Sequence, residues 1–113
     1  MTKRFDEDRL QDILSHASEA LDYCRNLSEE DFLDDRKTRR AVTYLIQVIG
    51  EASNRLSEET KSNIDLPWPD IIGMRNILVH AYHGVDDKIL WNSVKSELPN
   101  LIAKISSSID NSK

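Results

Sequence analysis

The chain has 113 residues, of which 39% are hydrophobic and 31% charged, and its formal net charge is −5. That length supplies one domain with one core, and the balance is that of a folded globular chain rather than a disordered one. The acidic total excludes a protein that grips nucleic acid strongly and without selectivity, because neutralising phosphates takes a basic face, and a lone cysteine, Cys24, excludes an internal disulfide and a cysteine-based zinc site. With three glycines, three prolines and apolar residues recurring at three and four, the expected fold is all-α: an antiparallel helical bundle forming one domain over 1–113. No apolar run reaches the ~18 residues of a membrane span. Met1-Thr2-Lys3-Arg4-Phe5-Asp6 lacks a signal-peptide core, so the expected compartment is the cytoplasm, with no membrane partner.

The first helix is expected from about Asp6 to Arg25, with Leu10, Ile13, Leu14, Ala17, Leu21 and Cys24 as its apolar stripe. Cys24 is read as a small packing residue rather than a nucleophile. Ser28-Glu29-Glu30-Asp31 has the form of a capping box opening a short turn that docks Phe32 and Leu33. A second long helix is expected from about Asp35 to Leu56, with Val42, Leu45, Ile49, Ala52 and Leu56 inward and Gly50 permitting a close helix approach. Its start carries Arg36, Lys37, Arg39 and Arg40. These residues fit either a solvated helix start balanced by Asp34 and Asp35 or an edge that tracks RNA. Ser57 is a second N-cap. Leu66-Pro67-Trp68-Pro69 delays the next helix until about Pro69, from which Ile71, Ile72, Met74, Ile77 and Leu78 lead toward His80. Gly84 is a plausible C-cap, and Asp86 or Asp87 caps the last helix. That helix buries Leu90 or Trp91, then Val94, Leu98, Leu101, Ile102, Ile105 and Ile109. Pro99 should kink or break it near Glu97–Leu98, and Ser106–Lys113 should fray.

The richest stretch chemically is Arg75-Asn76-Ile77-Leu78-Val79-His80-Ala81-Tyr82, an R-x-x-x-x-H-x-Y pattern. A permanent cation, an imidazole that titrates near neutrality and a phenol sit within one segment. The set suits phosphate chemistry without a metal: arginine holds a phosphodiester or its extra charge, and histidine moves a proton. Asn76 and His80, four apart, share a helix face, whereas Arg75 lies about 140° around from His80. A frayed end, a substrate lying across the helix, or a dimer aligning two such helices would reconcile the directions. Each residue also has a plainer role: His80 as a helix C-cap, Arg75 as an ion-pair partner of Glu51, Tyr82 as a rim aromatic. His80 and His83 with Asp86 or Asp87 form a weaker metal-binding alternative. The sequence has no glycine-rich phosphate loop, no H-E-x-x-H and no calcium loop.

In order along the chain, Ile49-Gly50-Glu51-Ala52, Pro67-Trp68, Ile72-Gly73-Met74-Arg75-Asn76, His80-Ala81-Tyr82, Val85-Asp86, Leu90-Trp91 and Leu98-Pro99-x-Leu101 resemble the HepT-like proteins, toxins of the HEPN superfamily. The resemblance covers nearly the whole chain. It implies a HEPN-like helical bundle that forms a homodimer, with the motif segments of both subunits near the dimer cleft. It implies a metal-independent endoribonuclease with no cofactor, the toxin of a type II/VII-like toxin–antitoxin pair. On that model Arg75 stabilises charge on the scissile phosphate of the RNA substrate and His80 acts as general acid or base. Asn76 binds or orients, and Glu51 orients Arg75. Tyr82 matches the tyrosine to which an MNT-type nucleotidyltransferase antitoxin transfers AMP in similar systems. The alternative is a non-catalytic binding partner of such a nucleotidyltransferase.

Overall fold

The computed structural model describes residues 2–73 and 87–111, with side chains from Phe5 onward. Among these residues there is helix and no strand, in line with the all-α expectation. Helix α1 spans Thr2–Cys24, α2 Glu29–Asp34, α3 Arg36–Asn54 and α4 Glu58–Asn63. A fifth helix, α5, is described over residues 68–73. After the undescribed stretch, α6 spans Asp87–Asn92, a π-helical turn Ser93–Glu97, and α7 Leu98–Asn111.

The helix boundaries follow from their caps. Ser28 accepts from the Asp31 amide at 3.0 Å while Asp31 accepts from the Ser28 amide at 3.3 Å, the reciprocal capping box expected there. Asp35 accepts from the Thr38 amide at 3.0 Å and its hydroxyl at 2.7 Å, so α3 opens one residue after the expected Asp35. Ser57 caps α4 through the Thr60 amide. Trp68 is buried and donates its indole N–H to the carbonyls of Lys61 and Ile64, both at 3.0 Å. That anchor lets α5 begin at residue 68, with Pro69 in the first turn where its missing N–H has no helical partner to lose.

The α1 and α3 axes run antiparallel. Asp6, near the start of α1, bonds Ser57 and Thr60 just beyond the end of α3. The final helical run passes the other way along α1. The Lys95 ammonium reaches the Cys24 carbonyl at 3.0 Å at one end, and Ser108 and Ile109 lie beside Asp6 and Leu10 at the other. The core between them combines Leu10, Ile13, Ala17, Ala20 and Cys24 of α1 with Val42, Leu45, Ile46, Ile49 and Ala52 of α3. Leu90, Trp91, Val94, Leu98, Leu101 and Ile105 complete it from the last run. Trp91 and Phe32 stack tilted with ring centroids 5.1 Å apart, so α2 is docked by its one buried aromatic. Gly50 is buried on the inward face of α3.

One expectation about the last helix holds and one changes. The run breaks at Glu97–Leu98 as expected before Pro99, and the break takes the form of a π-helical turn, with the Leu98 amide bonding the Ser93 carbonyl. The proline ring would collide with the carbonyl four residues back, and the wider turn makes room for it. The expected fraying of Ser106–Lys113 is not seen as far as Asn111, where α7 ends. Ile105 is fully buried and Ile109 packs partly on the core, so tertiary burial outweighs the weak helix preference of the three serines between them. No helix among the described residues is long and apolar enough to cross a membrane.

Candidate functional site

Arg75, Asn76, His80 and Tyr82 lie outside the described residues, as do His83 and Asp86. The expected pairing of Asn76 with His80 and the divergence of Arg75 therefore fall there too. What is described is the frame on either side. On the near side, buried Trp68 and half-buried Ile71 and Ile72 fix the start of α5 on the core. On the far side, Asp87 opens α6 with its carboxylate 3.2 Å from the Arg39 guanidinium. Arg39 also donates to the Leu33 carbonyl, so α2, α3 and α6 converge on one side chain. Both ends of the segment that contains the motif are thus tied to the bundle.

The convergence divides the basic cluster at the start of α3. Arg39 is turned inward and occupied. Arg36, Lys37 and Arg40 are exposed and make no salt bridge among the described residues. Asp35, one of the acids expected to balance them, is bound to Thr38; those hydrogen bonds, helped by the nearby Arg39 and Lys37 charges, hold its carboxyl below the usual range.

Glu51 lies half-buried on α3, with its carboxylate 3.5 Å from the Arg55 guanidinium one turn on. Its expected partner Arg75 is outside the described residues. Cys24 is fully buried, and burial pushes its thiol up, opposite to what a nucleophile needs. His16 donates from Nδ1 to the Asp12 carbonyl of its own helix at 2.8 Å. No group of His, Cys, Asp or Glu among the described residues could hold a metal ion.

Two features were missed from sequence. From sequence, Asp6 marks only a helix start. It is 3% exposed and accepts from the Ser57 amide at 3.1 Å and from the Ser57 and Thr60 hydroxyls at 2.5 Å each. Nothing local signals that contact, since its partners lie some fifty residues away. Tyr44, four residues after Arg40, is 62% exposed; its spacing from Arg36 and Arg40 was visible in the sequence.

Comparison with known proteins defines the class. Residues 13–108 match the family described as "Ribonuclease HepT-like", a range that includes Glu51 and all of Arg75–Tyr82. "Probable ribonuclease HepT" of Thermococcus cleftensis is 39% identical over 103 residues, covering 90% of this chain and 94% of that one. "Putative RNase MJ1380" of Methanocaldococcus jannaschii is 32% identical over 102 residues, covering 89% and 94%. "Putative RNase TTE0752" of Caldanaerobacter subterraneus is 34% identical over 93 residues, covering 81% and 83%. No solved structure matches the chain. The protein belongs to the HepT-like family of the HEPN superfamily, and its all-α bundle is the HEPN-like fold.

Proposed function

We propose that the protein is a metal-independent endoribonuclease and the toxin of a type II/VII-like toxin–antitoxin pair. The observation that carries this reading is the family match over residues 13–108, a range within which Glu51, Arg75, Asn76, His80 and Tyr82 fall. The names of the relatives point the same way.

The residue chemistry supplies a complete route. Arg75 neutralises the charge that builds on the scissile phosphate. The RNA 2′-oxygen attacks the adjacent phosphorus, the bond to the 5′-oxygen breaks, and a 2′,3′-cyclic phosphate remains. His80 takes the 2′-hydroxyl proton or gives one to the departing 5′-oxygen. Asn76 holds the imidazole or a phosphate oxygen, and Glu51 orients Arg75. A homodimer bringing two Arg75–His80 sets to one cleft concentrates cations that a single acidic subunit lacks. Product end-group analysis tests the route. A 2′,3′-cyclic phosphate and a 5′-hydroxyl are expected, and a 5′-phosphate product would contradict it.

The proposed partner is an MNT-type nucleotidyltransferase that transfers AMP from ATP to the Tyr82 hydroxyl and releases pyrophosphate. The added phosphate then competes with RNA for Arg75. Intact-mass spectrometry after incubation with partner and ATP should show AMP on wild type and none on Tyr82→Phe. If the partner silences Tyr82→Phe as fully as wild type, inhibition works by complex formation instead. A protein that binds the nucleotidyltransferase but never cleaves RNA is the outcome that returns the binding-partner reading.

A further inference from the structure

Arg36, Arg40 and Tyr44 stand four residues apart on α3, so they form one stripe about 12 Å long, with Lys37 beside it. Arg36, Lys37 and Arg40 are exposed, and Tyr44 presents most of its ring to solvent. Elsewhere the described cations are engaged: Arg9, Arg25, Arg39, Arg55, Lys61 and Lys104 in ion pairs, Lys95 on the Cys24 carbonyl and over the Trp91 ring, and Lys88 too has a partner. Arg36, Lys37 and Arg40 make no salt bridge among the described residues, although the chain carries five more negative than positive charges.

Their position works against the helix. The first turn of α3 contains no acidic residue and begins with Arg36 and Lys37. The positive end of a helix dipole disfavours cations. The Asp35 cap, which the Lys37 and Arg39 charges favour, offsets part of this, but the turn itself lacks carboxylates such as Glu29, Glu30 and Asp31 in α2. A cationic, aromatic stripe kept at that cost matches an external ligand with spaced negative charges and flat faces. Single-stranded RNA has both: its phosphates meet the guanidinium groups and a base stacks on the phenol ring. The stripe also runs along α3 toward Glu51, about 10 Å beyond Tyr44.

We infer that Arg36, Lys37, Arg40 and Tyr44 form a docking strip for single-stranded RNA that feeds the cleavage site. The inference rests on the proposed ribonuclease reading for what is delivered, but its test does not depend on cleavage. The probe is a fluorescent 2′-O-methyl RNA 20-mer, which has no free 2′-hydroxyl to attack, and anisotropy is measured across a salt series. The triple variant Arg36→Gln, Lys37→Gln, Arg40→Gln should bind on the order of tenfold more weakly at low salt. Its slope of log affinity against log salt should become shallower by about 2. Tyr44→Ala should weaken binding by about fivefold or more. The control pair Arg25→Gln, Lys104→Gln should change the slope little. Neutralising cations at the α3 start relieves the dipole, so the triple variant should melt no lower than wild type. Were it to unfold, Tyr44→Ala alone decides.

Equal affinity and slope in wild type and strip variants would overturn the inference, as would an equal loss in the control pair. Strip-dependent binding by a protein that leaves unmodified RNA intact would remove the ribonuclease reading and keep the strip. Cleavage with strip-independent binding would do the reverse.

Discussion

The two faces of α3 are built on opposite terms. Its inward face, Val42, Leu45, Ile46, Ile49, Ala52 and Ser53, is buried; it packs against α1 and shares one hydrophobic core with the last helical run. Its outward face carries Arg36, Arg40 and Tyr44 in solvent, then half-buried Glu51. The inward face fixes the bundle through close packing, where a lost methyl group is felt. The outward face contributes little to folding and even loads the helix start with the disfavoured charge. On the proposed reading, such a helix serves as a scaffold inside and as an RNA-docking surface outside.

The contrast can be broken at measurable points. Ile49→Ala, on the inward face, should cost roughly 2–5 kcal/mol in urea or guanidinium unfolding. A cost below 1 kcal/mol would mean that face is not tightly packed. Asp6→Ala removes the tether that holds the α3 end against α1 and leaves the Ser57 amide and two hydroxyls without their acceptor. About 1–3 kcal/mol should be lost.

The same tether has a pH signature. Burial pushes the Asp6 carboxyl up, but the Ser57 side chain, Thr60 and the Ser57 amide together outweigh it and hold the carboxyl below its usual range. A folded value below the unfolded one stabilises the protein above the ordinary aspartate range of about 4. That contribution is lost as pH falls through the folded value. Melting curves of wild type and Asp6→Ala should converge as the pH drops below about 4; a constant gap would remove this account.

Smaller effects are expected toward the outside. Arg39→Ala severs the link to Asp87 and the Leu33 carbonyl at a partly exposed site, and should cost about 1 kcal/mol. Arg36→Gln with Arg40→Gln should stay within about 0.5 kcal/mol of wild type, or stabilise. A large loss there would show that the outward charges support the fold after all.

What sequence made legible was local. The helix caps at Ser28 and Ser57 and the apolar stripes of α1 and α3 needed only short-range spacing, and the structure has them. What it hid depends on distant neighbours. The inward turn of Arg39 needs Asp87, the Asp6 network needs residues fifty positions away, and the persistence of α7 needs the core under Ile109. The break before Pro99 was legible, but its form as a π turn was not, because spacing locates the proline without choosing how the backbone yields. Cys24 as a packing residue was legible from its place on the stripe. At the candidate site, residue types and order were legible as a family pattern, and the match over residues 13–108 spans them.

The central claim is that Arg75 and His80 cleave RNA without a metal. Its most direct measurement is cleavage of single-stranded RNA by purified protein in EDTA, with wild type beside His80→Ala and Arg75→Ala. Cleavage should persist in EDTA. It should fall by roughly 10²–10⁴-fold in His80→Ala and on the order of 10²–10³-fold in Arg75→Ala, with melting temperatures unchanged. Wild-type cleavage abolished by EDTA, or His80→Ala cleaving as fast as wild type, would contradict the account.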